Sequence, residues 1–206
     1  MTPTTLEHAR AILGDEVLDL DVVQQFFQIC VSDSWRAELR DMPFEPEILA
    51  RHKSTHVLFA GVPLSIRDLR QRVPQCFDRF FPCAHRWFVN DETVDLRWYL
   101  LREDVVPGSK GKSFKKQLSC LSKCETVPRA CEAVYGIMLY FLVRGIRLFA
   151  DAAARCADIE PGFISPTKVH VDVGNFDEKG LLISLMDDGP DEDIGLVSVV
   201  MPMNKR

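Results

Sequence analysis

Cysteine and histidine side chains are the first candidates for chemistry in this chain, because thiolates and imidazoles bind zinc and act in nucleophilic catalysis. Cys76, Cys83 and His85 could supply zinc ligands, and Cys120 with Cys124 could form the second close pair of a structural site. Nothing in the spacing brings the two groups together, so buried unpaired cysteines are the favoured alternative. A Cys–His nucleophile pair also stays open, since seven cysteines and five histidines offer such pairings by chance.

Two further spacings resemble known motifs only in part. His52 and His56 have the i, i+4 spacing of metal ligands on a helix, but Lys53 stands where a metallopeptidase needs Glu. The stretch 108–113 (Gly-Ser-Lys-Gly-Lys-Ser) lacks the first Gly of a phosphate-binding loop. We therefore expect a mobile basic loop there, which could contact an anion.

The densest acidic cluster is 187–193, which reads Asp-Asp-Gly-Pro-Asp-Glu-Asp. Calcium takes carboxylate oxygens from loops of this kind. The Gly and the Glu, however, do not stand where a helix-loop-helix calcium loop has them. We expect a solvated turn between two strands and no cofactor, with calcium bound at Asp187–Asp193 as the alternative.

The composition is that of a soluble globular protein, with 206 residues, 47% hydrophobic and 27% charged. A formal charge of −5 argues against a general nucleic-acid binder. Charge is unevenly spread, because residues 97–123 contain seven Lys/Arg against two acids and residues 172–193 contain eight acids against one Lys. Two solvated patches are the simplest interpretation. The alternatives are that the patches face each other, or that the acidic one meets a ligand.

Cysteine usage and hydropathy bear on location. The odd, scattered cysteines do not form a disulfide framework, so we expect a reducing, cytoplasmic setting. We expect no signal peptide, since the first residues lack its charged and apolar regions. The longest apolar run, Ala133–Val143, has eleven residues, whereas a membrane span needs about 20. We therefore predict a buried helix at this run and no membrane span.

The first part of the chain has helical patterns. Helical spacing begins at Thr5 and again after Asp21, and two prolines three residues apart then interrupt it. We predict a helical N-terminal extension over residues 1–45 and a second domain over residues 46–206.

The second region mixes helix and strand patterns. The apolar run 55–62 predicts a buried strand, and Ser65 with Asp68 predicts the capped start of a helix. Thr126 is the predicted cap of a central helix that is apolar all round and ends at Gly145. Other predicted elements are an irregular aromatic segment over 74–90, a strand over 94–101, a basic helix over 113–122 and an ambiguous segment over 146–157.

The last forty residues alternate apolar and polar side chains in short segments separated by Gly, Asn and Asp. This pattern predicts a small antiparallel sheet with loops displayed at the surface. Together with the helical segments it predicts an α+β fold.

A series of short segments between residues 56 and 196 follow one another in an order that a known group of proteins shares. They are His56-Val57-Leu58, Pro63-Leu64-Ser65-Ile66, Asp68-Leu69-Arg70, Arg97-Trp98, Leu101-Arg102, Val106-Pro107-Gly108-Ser109, Lys115 with Gln117, Val127-Pro128 with Ala130, Val134-Tyr135, Phe141-Leu142, Gly145, Arg147-Leu148-Phe149, Arg155-Cys156 with Asp158, Val173-Gly174-Asn175-Phe176-Asp177, Gly180-Leu181, Asp187-Asp188 and Asp193-Ile194-Gly195-Leu196. In this order they resemble a group of bacterial proteins that look like the variable proteins of diversity-generating retroelements. The likeness covers about residues 56–198.

Variable proteins of this kind resemble C-type lectins and the formylglycine-generating enzyme family in fold, and a reverse transcriptase diversifies codons near their C-terminus. The resemblance implies a C-type-lectin-like α+β domain with a small antiparallel sheet, two or more packed helices and the helical N-terminal extension. It implies a ligand-binding surface at Leu182, Ser184, Leu185, Met186, Gly189, Pro190, Asp191, Glu192, Asp193, Val197 and Val199. It implies framework positions at Gly180, Leu181, Ile183, Asp188, Ile194 and Gly195.

The chain departs from the family pattern at Met186, where Trp is common, and in its closing residues 197–206. Since no Cys follows Cys156, formylglycine-generating activity is not implied. We expect a non-catalytic protein that binds a protein or other macromolecule but no nucleic acid, and that can form a homo-oligomer. Two alternatives stay open: a small cytosolic enzyme with a Cys/His or carboxylate site, and an assembly subunit that uses Phe26 and Phe27 of the helical N-terminus.

Overall fold

The computed structural model describes residues 4–77, 83–161 and 168–202. Helices and two β-sheets form an α+β arrangement, which confirms the predicted class. The helices are α1 (Leu6–Leu13), α2 (Leu20–Phe27), α3 (Asp33–Glu38), α4 (Pro46–His52), α5 (Ile66–Arg72), α6 (Trp87–Asn90), α7 (Phe114–Leu118) and α8 (Ala130–Arg144). The strands are β1 (Val17–Leu18), β2 (His56–Ala60), β3 (Trp98–Arg102), β4 (Glu125–Thr126), β5 (Ala153–Pro161), β6 (Lys168–Asp177), β7 (Gly180–Asp187), β8 (Ile194–Leu196) and β9 (Val199–Val200).

The first sheet has the strand order β1-β2-β3-β9-β4, with β1 parallel to β2 and the other neighbours antiparallel. Every side chain of β2 is buried, as the apolar run 55–62 predicts. The predicted start of α5 is confirmed as well. Ser65 Oγ accepts from the Asp68 N–H at 3.1 Å, and the Asp68 carboxylate accepts from the Ser65 N–H at 2.9 Å.

Helix α8 lies at the centre of the fold and is buried from Ala130 to Tyr140, as its all-round apolar pattern predicts. Its end at Gly145 is also confirmed, because this residue has φ +71° and donates its N–H to Phe141 O at 2.7 Å. The predicted cap at Thr126 is wrong, since that residue lies in β4 and the helix begins after Arg129. There the Glu132 carboxylate accepts from the Arg129 N–H and closes a capping box.

The second sheet has the order β7-β6-β5-β8. The predicted antiparallel pairing holds for β5-β6-β7, whereas β8 lies parallel to β5 and makes the sheet mixed. The ambiguous segment 146–157 therefore contains the start of a strand, β5. The inner face of β6 and β7 is buried by Val171, Val173, Leu181 and Ile183, which leaves the other face of the sheet to carry polar side chains.

The N-terminal segment packs into the same hydrophobic core as the rest of the chain. Strand β1 pairs with β2, and Leu13 and Phe27 are buried among residues of later elements. Trp98 Nε1 donates to Leu39 O at 2.9 Å. The second helical pattern, which the sequence puts after Asp21, is capped by Asp19, because the side chain of Asp19 accepts from two N–H groups of the first turn of α2.

The aromatic segment 74–90 is described only in part. It contains a 3-10 turn at Pro74–Cys76 and the short helix α6, while Phe80 and Phe81 lie outside the described residues. Among the helices that the structure describes, none is long and apolar enough to cross a bilayer.

Candidate ligand-binding surface

The acidic turn, defined as Asp187–Asp193 between β7 and β8, contacts the basic part of the chain. We call residues 105–120, a loop followed by α7, the covering segment. Its Gly111 N–H donates to Asp191 O at 2.8 Å, and its Phe114 N–H donates to Asp188 Oδ1 at 2.8 Å. The two patches therefore touch through backbone N–H groups, with no ion pair between the lysines or arginines of the one and the carboxylates of the acidic turn among the described residues.

Gly111 is required at this contact. It has φ +70°, and a Cβ at this position would lie 2.8 Å from a carboxylate oxygen of Glu192. A larger residue would be strained in the backbone, and the carboxylate of the exposed Glu192 would have to move aside.

Arg155, on β5 and almost completely buried, holds the covering segment and the acidic turn together from below. One terminal nitrogen donates to Lys112 O at 3.1 Å and Gln117 Oε1 at 3.2 Å. The other donates to Asp187 O at 3.0 Å and Gly189 O at 2.6 Å. Because these acceptors in the turn are carbonyl oxygens, the anchor does not depend on the exposed side chains of Pro190, Glu192 and Asp193. This role of Arg155 was not expected from the sequence, although a lone Arg within an alanine-rich strand is a usable signal.

The acidic turn also has bonds of its own. The Asp187 and Asp191 carboxylates accept from the N–H groups two residues later, at 2.9 Å and 2.8 Å. Ala153 N–H donates to the carbonyl of Asp193 at 3.1 Å. The side chains of Glu192 and Asp193 form no hydrogen bond or ion pair with any described residue. The turn therefore contains two aspartates that shape it and other side chains that do not.

Strand β7 divides the predicted site residues between two faces. Leu182, Ser184 and Met186 lie opposite Gly174, Asp172 and His170 of β6 and share the outer face of the sheet with them. Leu185 lies on the other face and packs partly against the core. Of the remaining predicted residues, Pro190, Glu192 and Asp193 are exposed, and Gly189 and Asp191 are half-buried.

Val197 and Val199 do not belong to the exposed surface, since 0% and 4% of them is accessible. After β8 the chain leaves the second sheet and enters the first. There Val199 of β9 lies between Leu101 of β3 and Thr126 of β4. The expectation that these two valines line a displayed surface is corrected by this crossing between the sheets.

Asp172 and His170 lie beneath the surface. The Asp172 carboxylate is 4.0 Å from Arg155 Nε and makes no hydrogen bond with any described residue. Burial raises the pKa of Asp172 to about 7, against the lowering effect of Arg155. The His170 ring lies 3.9 Å from the Phe114 ring, between centroids, and burial lowers the pKa of this histidine. The outer face of the sheet thus contains two buried polar side chains, Asp172 and His170, beneath its exposed residues.

Cys83 and Cys131, two of the seven cysteines among which a nucleophile stayed open, are buried thiols. Cys83 Sγ donates to Ile183 O at 3.7 Å, and burial raises the pKa of Cys83 to about 11 and that of Cys131 to about 12. Both therefore stay protonated at neutral pH, and a protonated thiol is a poor nucleophile. Across the described residues, no group of three or more His, Cys, Asp or Glu is arranged to hold a metal ion.

His52 and His56 do come together, with ring centroids 4.3 Å apart, in a buried cluster behind β2. His56 Nε2 lies 3.7 Å from Glu125 Oε1, which also accepts from Arg102 and from Ser198 Oγ. Burial lowers the pKa of His52 to about 4. The cluster thus contains a neutral imidazole at His52 and a carboxylate at Glu125 that already accepts hydrogen bonds from Arg102 and Ser198. Through Glu125 it links β2, β3 and β4.

Comparison with known proteins finds no matching family model, no matching curated protein and no matching solved structure. Function must therefore be argued from the residues of the outer face themselves.

Proposed function

We propose that this chain is a non-catalytic ligand-binding protein that presents the outer face of β7 and the acidic turn. In this proposal it acts as a variable protein of a diversity-generating retroelement, with the α+β domain as a C-type-lectin-like framework. The observation that carries the proposal is the anchoring of the turn by Arg155 through the carbonyls of Asp187 and Gly189. A surface whose backbone is held in this way can change side chains without losing its shape.

The alternation along β7 supports the same division. Leu181 and Ile183 are buried in the core and hold the strand in register. Leu182, Ser184 and Met186 between them face outward, so they can be exchanged without opening a cavity. Framework and display positions therefore alternate along a single strand, as a diversified binding surface requires.

The partner we propose is a protein or other macromolecule, bound in a reducing cytoplasm. All seven cysteines carry free thiols, including the exposed Cys30, which suits such a compartment. The negative charge of the acidic turn disfavours nucleic acid as the ligand.

The DNA beside the gene tests this proposal without knowledge of the ligand. We expect a reverse transcriptase gene and a near-copy of codons 168–198. Across related strains, substitutions should concentrate at the codons of the display positions and spare those of Leu181 and Ile183, which serve as the internal control. The display positions are the outward-facing Leu182, Ser184 and Met186 and the exposed Pro190, Glu192 and Asp193. A locus without either element, and with no excess of variation in this segment, would refute the retroelement role.

A further inference from the structure

Exposed apolar side chains gather on the outer face of the second sheet. Six large hydrophobic residues are exposed in the described part of the chain, and three of them, Leu118, Ile159 and Met186, lie on the helix and the two strands beside one ring pair. Ile159 and Met186 lie on either side of His170 in the strand register, and the Phe114 ring stacks on His170. We call Phe114, Leu118, Ile159 and Met186 the apolar platform.

The platform joins three separate parts of the chain. Phe114 and Leu118 are one helical turn apart on α7, so they share a face of that helix. Single exposed hydrophobic residues are common on protein surfaces, but a group on one face marks an interaction site. The Phe114 N–H bond to Asp188 fixes α7 against the sheet, so the group has a defined shape.

The platform adjoins uncompensated negative charge. Asp187 follows Met186 directly, and the acidic turn brings five carboxylates, those of Asp187, Asp188, Asp191, Glu192 and Asp193, within seven residues. None of the five forms an ion pair with a lysine or arginine of the described residues. His170 Nε2 lies 4.0 Å from Asp188 Oδ1, but burial lowers the pKa of this histidine. A ligand carrying positive charge would complement the five carboxylates.

We infer that the platform and the acidic turn together bind a protein segment that carries an aliphatic or aromatic side chain next to a lysine or arginine. The apolar side chain packs on Met186, Leu118 and Ile159, and the cationic one pairs with the acidic turn. This inference rests on the proposed ligand-binding function and names the partner's chemistry. It also adds Leu118 and Ile159 to a surface that the sequence placed only after residue 181.

Selection from a phage library of random dodecapeptides on the immobilised full-length chain tests the inference. We expect enrichment of peptides with an aliphatic or aromatic residue within two positions of Lys or Arg. Their synthetic forms should bind less tightly as salt is raised, because exposed charge pairs are screened.

Matched variants locate the binding. Leu118→Ser and Met186→Ser should each weaken the selected peptides about tenfold, as loss of one apolar anchor does. Glu192→Gln with Asp193→Asn should remove most of the salt dependence. Ile146→Ser, at an exposed hydrophobic residue outside the platform, is the control and should change nothing.

Three results would overturn the inference: no peptide enriched above a column without the protein, enriched peptides lacking the apolar–basic pair, or binding equally insensitive to Met186→Ser and Ile146→Ser. None of them would touch the proposed function, since codon diversification is read from the DNA. A diversified locus combined with a failed selection would retain the function and reject this partner.

Discussion

Arg155→Met tests whether Arg155 holds the backbone of the acidic turn, because it changes none of the side chains that the turn displays. The substitution keeps most of the apolar stem of the side chain and removes the guanidinium. Four hydrogen bonds are lost, to Lys112 O, Gln117 Oε1, Asp187 O and Gly189 O. The buried Asp172 carboxyl also loses its only cationic neighbour among those that shift its pKa. Removing one partner of a buried pair costs about 3–5 kcal/mol, a large share of a typical stability of about 5–15 kcal/mol.

Urea denaturation, monitored by tryptophan fluorescence, measures this cost. A shift of the midpoint urea concentration at constant m-value gives the change in the free energy of unfolding. Arg36→Met is the matched control, because Arg36 pairs with Asp21 while both side chains are largely exposed, at 43% and 73%. Such surface pairs contribute about 0–1 kcal/mol. We expect Arg155→Met to lower the free energy of unfolding several times more than the control does.

The pH dependence gives a second readout. The pKa of Asp172 is raised to about 7 in the folded chain from 3.8, so the folded state binds more protons and stability falls as pH rises between these values. Without Arg155 the pKa of Asp172 rises further, so the loss of stability with rising pH should extend above pH 7 in the variant. A cost below about 1 kcal/mol, close to that of Arg36→Met, would show that Arg155 does not hold the turn.

Three further predictions concern the framework. Because burial lowers the pKa of His52 from 6.5 to about 4, this residue should contribute a loss of about 3 kcal/mol of stability as pH falls between these values, opposite in sign to the contribution of Asp172; His52→Phe should remove that contribution from urea titrations at each pH. Gly111→Ala and Gly108→Ala should destabilise to a similar degree, since both glycines have positive φ and the exposed Glu192 carboxylate that the Cβ at Gly111 would meet can rotate aside; a thermal shift at Gly111 several times larger would show that this carboxylate is fixed in place. Cys131, whose pKa is raised to about 12, should resist alkylation at pH 7.5 while the exposed Cys30 reacts; modification of both at similar rates, monitored by mass spectrometry, would contradict the protonated, buried state of Cys131.

Local signals in the sequence were sufficient for several elements. Ser65 with Asp68 defines the start of α5, and Gly145 the end of α8, because capping depends on residues a few positions apart. The start of α8 was misplaced by three residues. Thr126 is an adequate cap in isolation, but its backbone is taken by the pairing of β4 with β9, a contact that local pattern does not report.

The site was predictable in part. The family resemblance implied Leu182, Ser184 and Met186, which share the outer face, and it also implied Leu185, which the period-2 geometry of a strand puts on the opposite face. Arg155 was not predictable as an anchor, because its acceptors lie 32–43 residues away in the sequence. The burial of Val199 depends on a crossing between two sheets that no local pattern encodes.

Two matched libraries test the central claim most directly. One randomises Leu182, Ser184, Met186, Pro190, Glu192 and Asp193. The other randomises six buried residues, Val171, Val173, Phe176, Leu181, Ile183 and Leu196. After display on yeast and a protease challenge, most clones of the first library should remain folded and few of the second should. Equal loss from both libraries would contradict a held backbone with replaceable side chains.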